Sequence, residues 1–207
     1  MAITINGSGT ITGVSAGGLP DGSVTADDLA STLDLGSKTL TIPTDTTGLP
    51  SGGLEEADTW RISSNYTLTT QYNYERIPSN WERDDDSSFE KIGTGLTESS
   101  GVFAFPSTGK YLIIFNGEGD GGSTSVTFYS RISTDGGSNY DVRASTRAAG
   151  TTSGSDSRTY SFMVDVTDTA NVRMDFTAYT SASSGVTVSG NSYQTSTGFT
   201  CIKLGET

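Results

Sequence analysis

The densest run of oxygen donors in the chain is Asp84-Asp85-Asp86, followed by Ser87, Ser88 and Glu90. Carboxylates at that density suit Ca²⁺, a hard cation that takes about six to eight oxygen ligands. The spacing lacks the Asp-x-Asp-x-Asp-Gly of an EF-hand loop, so the run reads first as a solvated turn, with Ca²⁺ the one cofactor left open. Glu118 and Asp120, set among Gly117, Gly119, Gly121 and Gly122, read as a second acidic loop. That stretch is no phosphate cradle, because neither Lys-Ser/Thr nor a helix follows it. The chain has no histidine, which removes Ser-His-Asp and Cys-His nucleophiles and any histidine-held metal. Cys201 is the only cysteine and closes no intrachain disulfide. Paired carboxylates can cleave a glycosidic bond, but their separation in space is not written in this sequence. The expectation is a protein with no catalytic residues, no assigned metal ligands and no cofactor other than the Ca²⁺ left open above.

The aromatic residues offer a different chemistry. Tyr66, Tyr72, Tyr74, Trp81, Tyr129, Tyr140, Tyr179 and Tyr193 exceed what one small core requires. Tyr and Trp on loops stack on sugar rings or anchor protein contacts. Tyr140 follows Asn139 and precedes Asp141, and Tyr193 lies between Asn191 and Gln194. Asn139, Tyr140, Asn191 and Tyr193 are therefore the candidate ligand or receptor residues. The competing use of the same rings is to cap a sandwich or line a subunit seam.

Such residues need a scaffold, and the composition constrains it. The chain has 207 residues, 24 acidic and 12 basic, for a net charge of −12. Ser and Thr number 63, whereas Leu, Ile, Val and Phe number 40. That aliphatic content is near the limit for a chain that folds at all. An acidic chain of this kind has no footprint for nucleic acid. No apolar run is long enough to insert into a membrane, and the start Met1-Ala-Ile-Thr-Ile-Asn does not read as a signal peptide.

Two segments follow different grammar. Residues 1–54 hold no aromatic residue and one basic residue, Lys38. Short alternations at Ile3-Thr4-Ile5 and Thr10-Ile11-Thr12 are broken by glycines, which predicts an extended arm. Thr25 as cap, Asp27 and Asp28 in the first turn, Leu29, Ala30 and Leu33 as a stripe and Gly36 as a stop predict one short helix. Leu40-Thr41-Ile42-Pro43 reads as a short strand and Gly48–Gly53 as a linker. From residue 55 the alternation has period two. Tyr160, Phe162, Val164 and Val166 oppose Ser161, Met163 and Asp165, and Val172, Met174, Phe176 and Ala178 oppose Arg173, Asp175 and Thr177. Val126–Ile132 follows the same rule with Ser130 turned inward. These are half-buried antiparallel strands. Thr134–Asn139, Asp168–Ala170 and Pro106–Gly109 read as the tight turns of hairpins, and Thr146–Ser157 as a long polar loop. The fold class is all-β, an antiparallel β-sandwich over residues 55–207.

Residues 101–117, Gly-Val-Phe-Ala-Phe-Pro-Ser-Thr-Gly-Lys-Tyr-Leu-Ile-Ile-Phe-Asn-Gly, resemble the central signature of the C1q/TNF-like jelly roll, Gly-x-Phe-x-x-Pro-x-x-Gly-x-Tyr. Gly101, Phe103, Pro106, Gly109 and Tyr111 fall on that pattern. Ser196-Thr197-Gly198-Phe199-Thr200-Cys201-Ile202 resembles the family's closing strand, with Thr197 where a Ser is usual. The resemblance spans roughly residues 58–204 and implies a homotrimer about a three-fold axis. The Tyr111–Phe115 and Phe199–Leu204 segments are apolar on both faces, which suits either burial within one sandwich or contact with a neighbouring subunit; the expected trimer seam is Tyr111, Ile113, Phe115, Phe199 and Ile202. Leu19–Ser31, Leu-Pro-Asp-Gly-Ser-Val-Thr-Ala-Asp-Asp-Leu-Ala-Ser, is similar to segments of bacteriophage tail fibres. Together the two resemblances imply a virion protein. The expectation is a short trimeric tail fibre, joined to other virion proteins through residues 1–54, whose head binds a host-surface glycan or protein. A capsid decoration protein or head fibre is the alternative with the same parts.

Overall fold

The computed structural model describes residues 4–5, 11–12, 53–84, 90–120, 124–149, 154–183 and 185–207. The chain divides into two units, Met1–Leu49 and Pro50–Thr207. In the first, β1 (Thr4–Ile5) and β2 (Ile11–Thr12) pair antiparallel, Thr4 opposite Thr12 and Ile5 opposite Ile11. The helix expected over Thr25–Gly36 and the strand at Leu40–Pro43 lie outside the described residues. So do Asp85 and Asp86 of the acidic run, and Gly121 and Gly122.

The second unit is two antiparallel sheets face to face. In the larger, β9 (Gly109–Asp120) pairs along one edge with β12 (Asp156–Val166). Along its other edge lie β15 (Gly198–Gly205) and then β14 (Thr187–Asn191). β3 (Ala57–Ile62) flanks β15, β4 (Ser64–Thr67) flanks β14, and β6 (Trp81–Arg83) closes the sheet beyond β3. In the smaller sheet β11 (Asp141–Ala148), β10 (Val126–Ser133) and β13 (Arg173–Thr180) lie side by side. β8 (Val102–Ala104) and β5 (Glu75–Arg76) share the far edge of β13, and β7 (Thr97–Ser99) pairs with β8.

Period-two alternation decides which side chains fill the space between the sheets. Tyr111, Ile113 and Phe115 of β9 face Phe128 of β10 and Met174 and Phe176 of β13, all fully or almost fully buried. The Phe115 and Phe176 rings stack at 4.8 Å, and Phe103 meets Phe199 edge to face at 4.8 Å, geometries that favour aromatic pairs beyond their area. Further along β9 the inward positions are Gly117 and Gly119. A Cβ at Gly117 would lie 2.5 Å from Phe128, so glycine lets the ring seat against the backbone. Glu118 and Asp120, expected in a loop, instead continue β9, because the intervening glycines serve the inner face.

Three further sequence expectations change. Thr134–Asn139 does join paired neighbours, β10 and β11. Pro106–Gly109 and Asp168–Ala170 do not: each carries the chain from one sheet to the other, β8 to β9 and β12 to β13. A proline and a glycine shorten a connection equally well whether it folds back on one sheet or crosses between two. The polar face of β13 is not solvated either. Asp175 and Thr177 are wholly buried, because side chains from β5, β10 and the β10–β11 turn cover them. The long polar loop is shorter than expected, since β11 extends to Ala148 and β12 begins at Asp156.

Candidate functional site

On the outer face of the smaller sheet, β10 presents Tyr129 and Arg131, and β13 presents Asp175, Thr177 and Tyr179. Register places Tyr129 opposite Thr177, Arg131 opposite Asp175, and Arg76 of β5 opposite Thr177 from the other side. Asp175 accepts from Arg76 Nε at 2.7 Å and from Arg131 Nε and Nη2 at 2.8 and 2.6 Å. Both guanidinium carbons lie 5.1 Å from the ring centroid of Tyr140, within cation–π range. Burial raises the Tyr140 phenol, and nearby Asp175 adds to that, against the opposing charges of Arg76, Arg131 and Arg173.

Beside this cluster, Tyr74 meets Tyr129 at 4.8 Å and Tyr179 at 5.9 Å. Tyr74 is half exposed. Its loop is held by Glu75, whose carboxylate accepts from the Tyr66 hydroxyl at 2.7 Å and from the amides and hydroxyls of Thr69 and Thr70. Burial alone would raise the Glu75 carboxyl, but the bonds from Tyr66, Thr70 and Thr69 outweigh it and hold the group below its ordinary value.

The four candidate ligand residues have separate fates. Tyr140 enters the arginine cluster. Asn139 is used by its own turn, donating its main-chain and side-chain N–H to Asp135 at 2.9 and 2.7 Å. Those bonds, with one from Ser133, lower the Asp135 carboxyl to about 2. Asn191 accepts from the main-chain N–H of Tyr193 at 2.7 Å. Tyr193 is 92% exposed and stands after β14, on the larger sheet. The fold therefore does not gather the two tyrosines into one site. Arg76, Arg131, Asp175 and Tyr74 complete the tyrosine and arginine face. The Tyr74–Arg76 segment, Arg131 and Asp175 sit far apart in sequence, and only strand register brings them together.

The expected seam also needs correction. Tyr111, Ile113, Phe115 and Phe199 are inward residues of β9 and β15, filling the core of their own chain. Ile202 alone of the five lies on the outer face. The apolar residues out there are the alternate ones. Met163, Leu112, Ile202 and Ala57 form one cross-strand row over β12, β9, β15 and β3, and Ile92 extends it through a bridge to Ala57. Met163 and Ile92 are exposed, and Leu112, Ile202 and Ala57 half-buried. Ile114 stands on the same face beside an open groove of about 300 Å³ lined by Thr59, Asn116, Thr195 and Thr200.

Asp84 pairs with Arg61 at 2.8 Å, so that end of the acidic run is already neutralised by protein. Among the described residues no three Cys, Asp or Glu side chains are placed to hold a metal ion, and no helix is long and apolar enough to cross a membrane. The Cys201 thiol is buried, which raises it well above its ordinary value.

Comparison with solved structures matches this arrangement of sheets. Murine APRIL superposes with a TM-score of 0.53 at 9% identity, covering 72% of this chain and 98% of its own. Eiger TNF from S. frugiperda superposes with a TM-score of 0.52 at 10% identity, covering 73% and 93%. The head has a TNF-like jelly-roll fold. At these identities the likeness is one of fold. No protein-family model and no curated protein matches the chain.

The jelly roll gives the Gly101–Tyr111 motif its physical meaning. Gly101 sits at φ +77° in the β7–β8 turn, where its Cβ would overlap the Ile77 carbonyl. Phe103 is a fully buried core ring. Pro106 begins the crossing to the other sheet. There Tyr111 donates to the Ser107 carbonyl at 3.0 Å, pinning the corner. The spacing encodes a sheet-to-sheet corner.

Proposed function

We propose that this chain is a non-enzymatic structural protein of a virion. It is a short bacteriophage tail fibre whose jelly-roll heads associate as a homotrimer and bind a host-surface glycan or protein. Residues 1–54 attach it to other virion proteins. One observation carries the reading: the row Met163–Leu112–Ile202–Ala57–Ile92, apolar side chains left on the outside of the larger sheet. A contiguous apolar strip on a highly acidic, Ser/Thr-rich chain marks an association surface. The C1q/TNF-like resemblance implies three-fold closure, and the resemblance of Leu19–Ser31 to tail-fibre segments supports the virion setting.

Analytical ultracentrifugation of the intact chain tests it. The expected species has three times the 21.6 kDa chain mass. Met163→Glu and Ile202→Glu each place a charge in the seam and are expected to weaken association by at least about tenfold, since burying an unpaired charge costs several kcal/mol. A wild-type monomer at micromolar concentration overturns the assembly. Failure of excess protein to compete with phage adsorption overturns the attachment role.

A further inference from the structure

The tyrosine and arginine face gathers three guanidiniums in one place on an acidic chain. Elsewhere Arg61 has Glu82 and Asp84, Lys203 has Glu55 and Glu206, and Arg83 has Asp58, whereas among the described residues Arg147, Lys91 and Lys110 stand singly on a hydroxyl or a carbonyl. Around Tyr140, Arg76 and Arg131 share one buried carboxylate, Asp175. Arg173, whose charge Tyr140 also feels, donates among the described residues to the carbonyls of Thr169 and Val172 and to no carboxylate. Three guanidiniums thus surround Tyr140, and two of them share the one carboxylate Asp175, on a chain of net charge −12.

Their donors are not used up. Arg76 commits only Nε to Asp175, and Arg131 commits Nε and Nη2. Both Nη groups of Arg76, Nη1 of Arg131 and the Tyr140 hydroxyl have no hydrogen-bond partner among the described residues. Arg76 is about one-third exposed, so its free donors reach solvent. Tyr129 lies two strand positions from Arg76 in the same register row, on the order of 10 Å. With Tyr74 and Tyr179 it offers ring surface at the span of a short oligosaccharide.

We infer that this face binds an acidic glycan: Arg76, Arg131 and Tyr140 take its carboxylate or sulfate, and the Tyr74–Tyr129–Tyr179 group takes the apolar face of an adjoining sugar. Guanidinium donors meet planar oxyanions with charge-assisted bonds, and tyrosine rings pack against sugar C–H surfaces. The inference rests on the reading of the head as the part that binds, and it names the chemistry recognised.

The test is calorimetric titration of the intact chain with polygalacturonate, dextran sulfate, uncharged dextran and oligothymidylate. Binding of polygalacturonate or dextran sulfate, weakened at least about tenfold by Arg76→Gln and by Tyr140→Leu, supports the proposal, and the preferred polymer identifies carboxylate or sulfate. Arg131 keeps Asp175 paired in Arg76→Gln. If that variant still fails to fold, Tyr140→Phe, which removes one oxygen, reads the same site. Binding indifferent to all these variants, equal binding of oligothymidylate, or a preference for uncharged dextran overturns the proposal. If no polymer binds while the protein still adsorbs to host cells, this inference falls and the attachment reading stands. If adsorption is absent too, both fall.

Discussion

Asp175 accepts three hydrogen bonds from two guanidiniums and has no solvent-exposed surface. Removing it leaves two cations at a site whose only carboxylate is gone. Breaking a buried pair by deleting one partner typically costs about 3–5 kcal/mol. Asp175→Ala is expected near the lower end, because Arg76 is partly exposed and water takes over some of its solvation. Urea denaturation of the variant checks this, and a loss under about 1 kcal/mol would show the pair to be dispensable. The sequence makes Asp175 a polar outward position on an alternating strand, and the alternation is correct. Its burial is not readable, because the cover arrives from Arg76, Arg131 and Tyr140 by register. For the same reason Tyr140 was open to selection as a binding residue by its polar neighbours, while its arginine partners were not. Asn139 and Asn191 have the same polar signature but serve turns, a use that residue type cannot distinguish from ligand contact.

Glu75 sets the conformation of the segment that carries Tyr74. Its folded-state carboxyl lies below the ordinary 4.5 because the ionised form is the one that accepts the Tyr66, Thr70 and Thr69 bonds. A depressed carboxyl stabilises the fold above its unfolded value, and that contribution disappears as pH falls through the folded value. The clasp is therefore closed at neutral pH and opens only in acid below 4.5. The amide resonances of Thr69 and Thr70 are expected to titrate together with a midpoint below 4.5, and Glu75→Gln is expected to abolish that step. A midpoint at or above 4.5 would mean that the clasp does not form. Among elements, the long strands were legible from alternation, whereas the connections were not. Pro106–Gly109 and Asp168–Ala170 carry the same turn chemistry as a hairpin, but they join different sheets. Even inside the Gly101–Tyr111 motif, Pro106–Gly109 reads as a hairpin turn, because its residue types are the same for either path. The seam shows the same limit: apolar residues on both faces of β9 and β15 were evident, but which face is core depends on the opposing sheet.

At the scale of the whole molecule, the two proposed surfaces respond to salt with opposite signs. Each chain carries −12, so three copies meeting through an uncharged apolar row associate against mutual repulsion. Screening shortens the reach of that repulsion to about 8 Å at 0.15 M salt and about 3 Å at 1 M, while burial of Met163, Leu112 and Ile202 is not screened. Raising salt should therefore strengthen self-association. Binding of an acidic polymer at Arg76, Arg131 and Tyr140 joins opposite local charges, and the same screening weakens it. Sedimentation and calorimetry on one preparation, at about 0.05 and 0.5 M NaCl, compare the two directly. The trimer dissociation constant is expected to fall and the polymer dissociation constant to rise. If self-association weakened with salt as well, ion pairs between copies rather than the apolar row would hold the assembly, and the strip on the larger sheet would lose its proposed role.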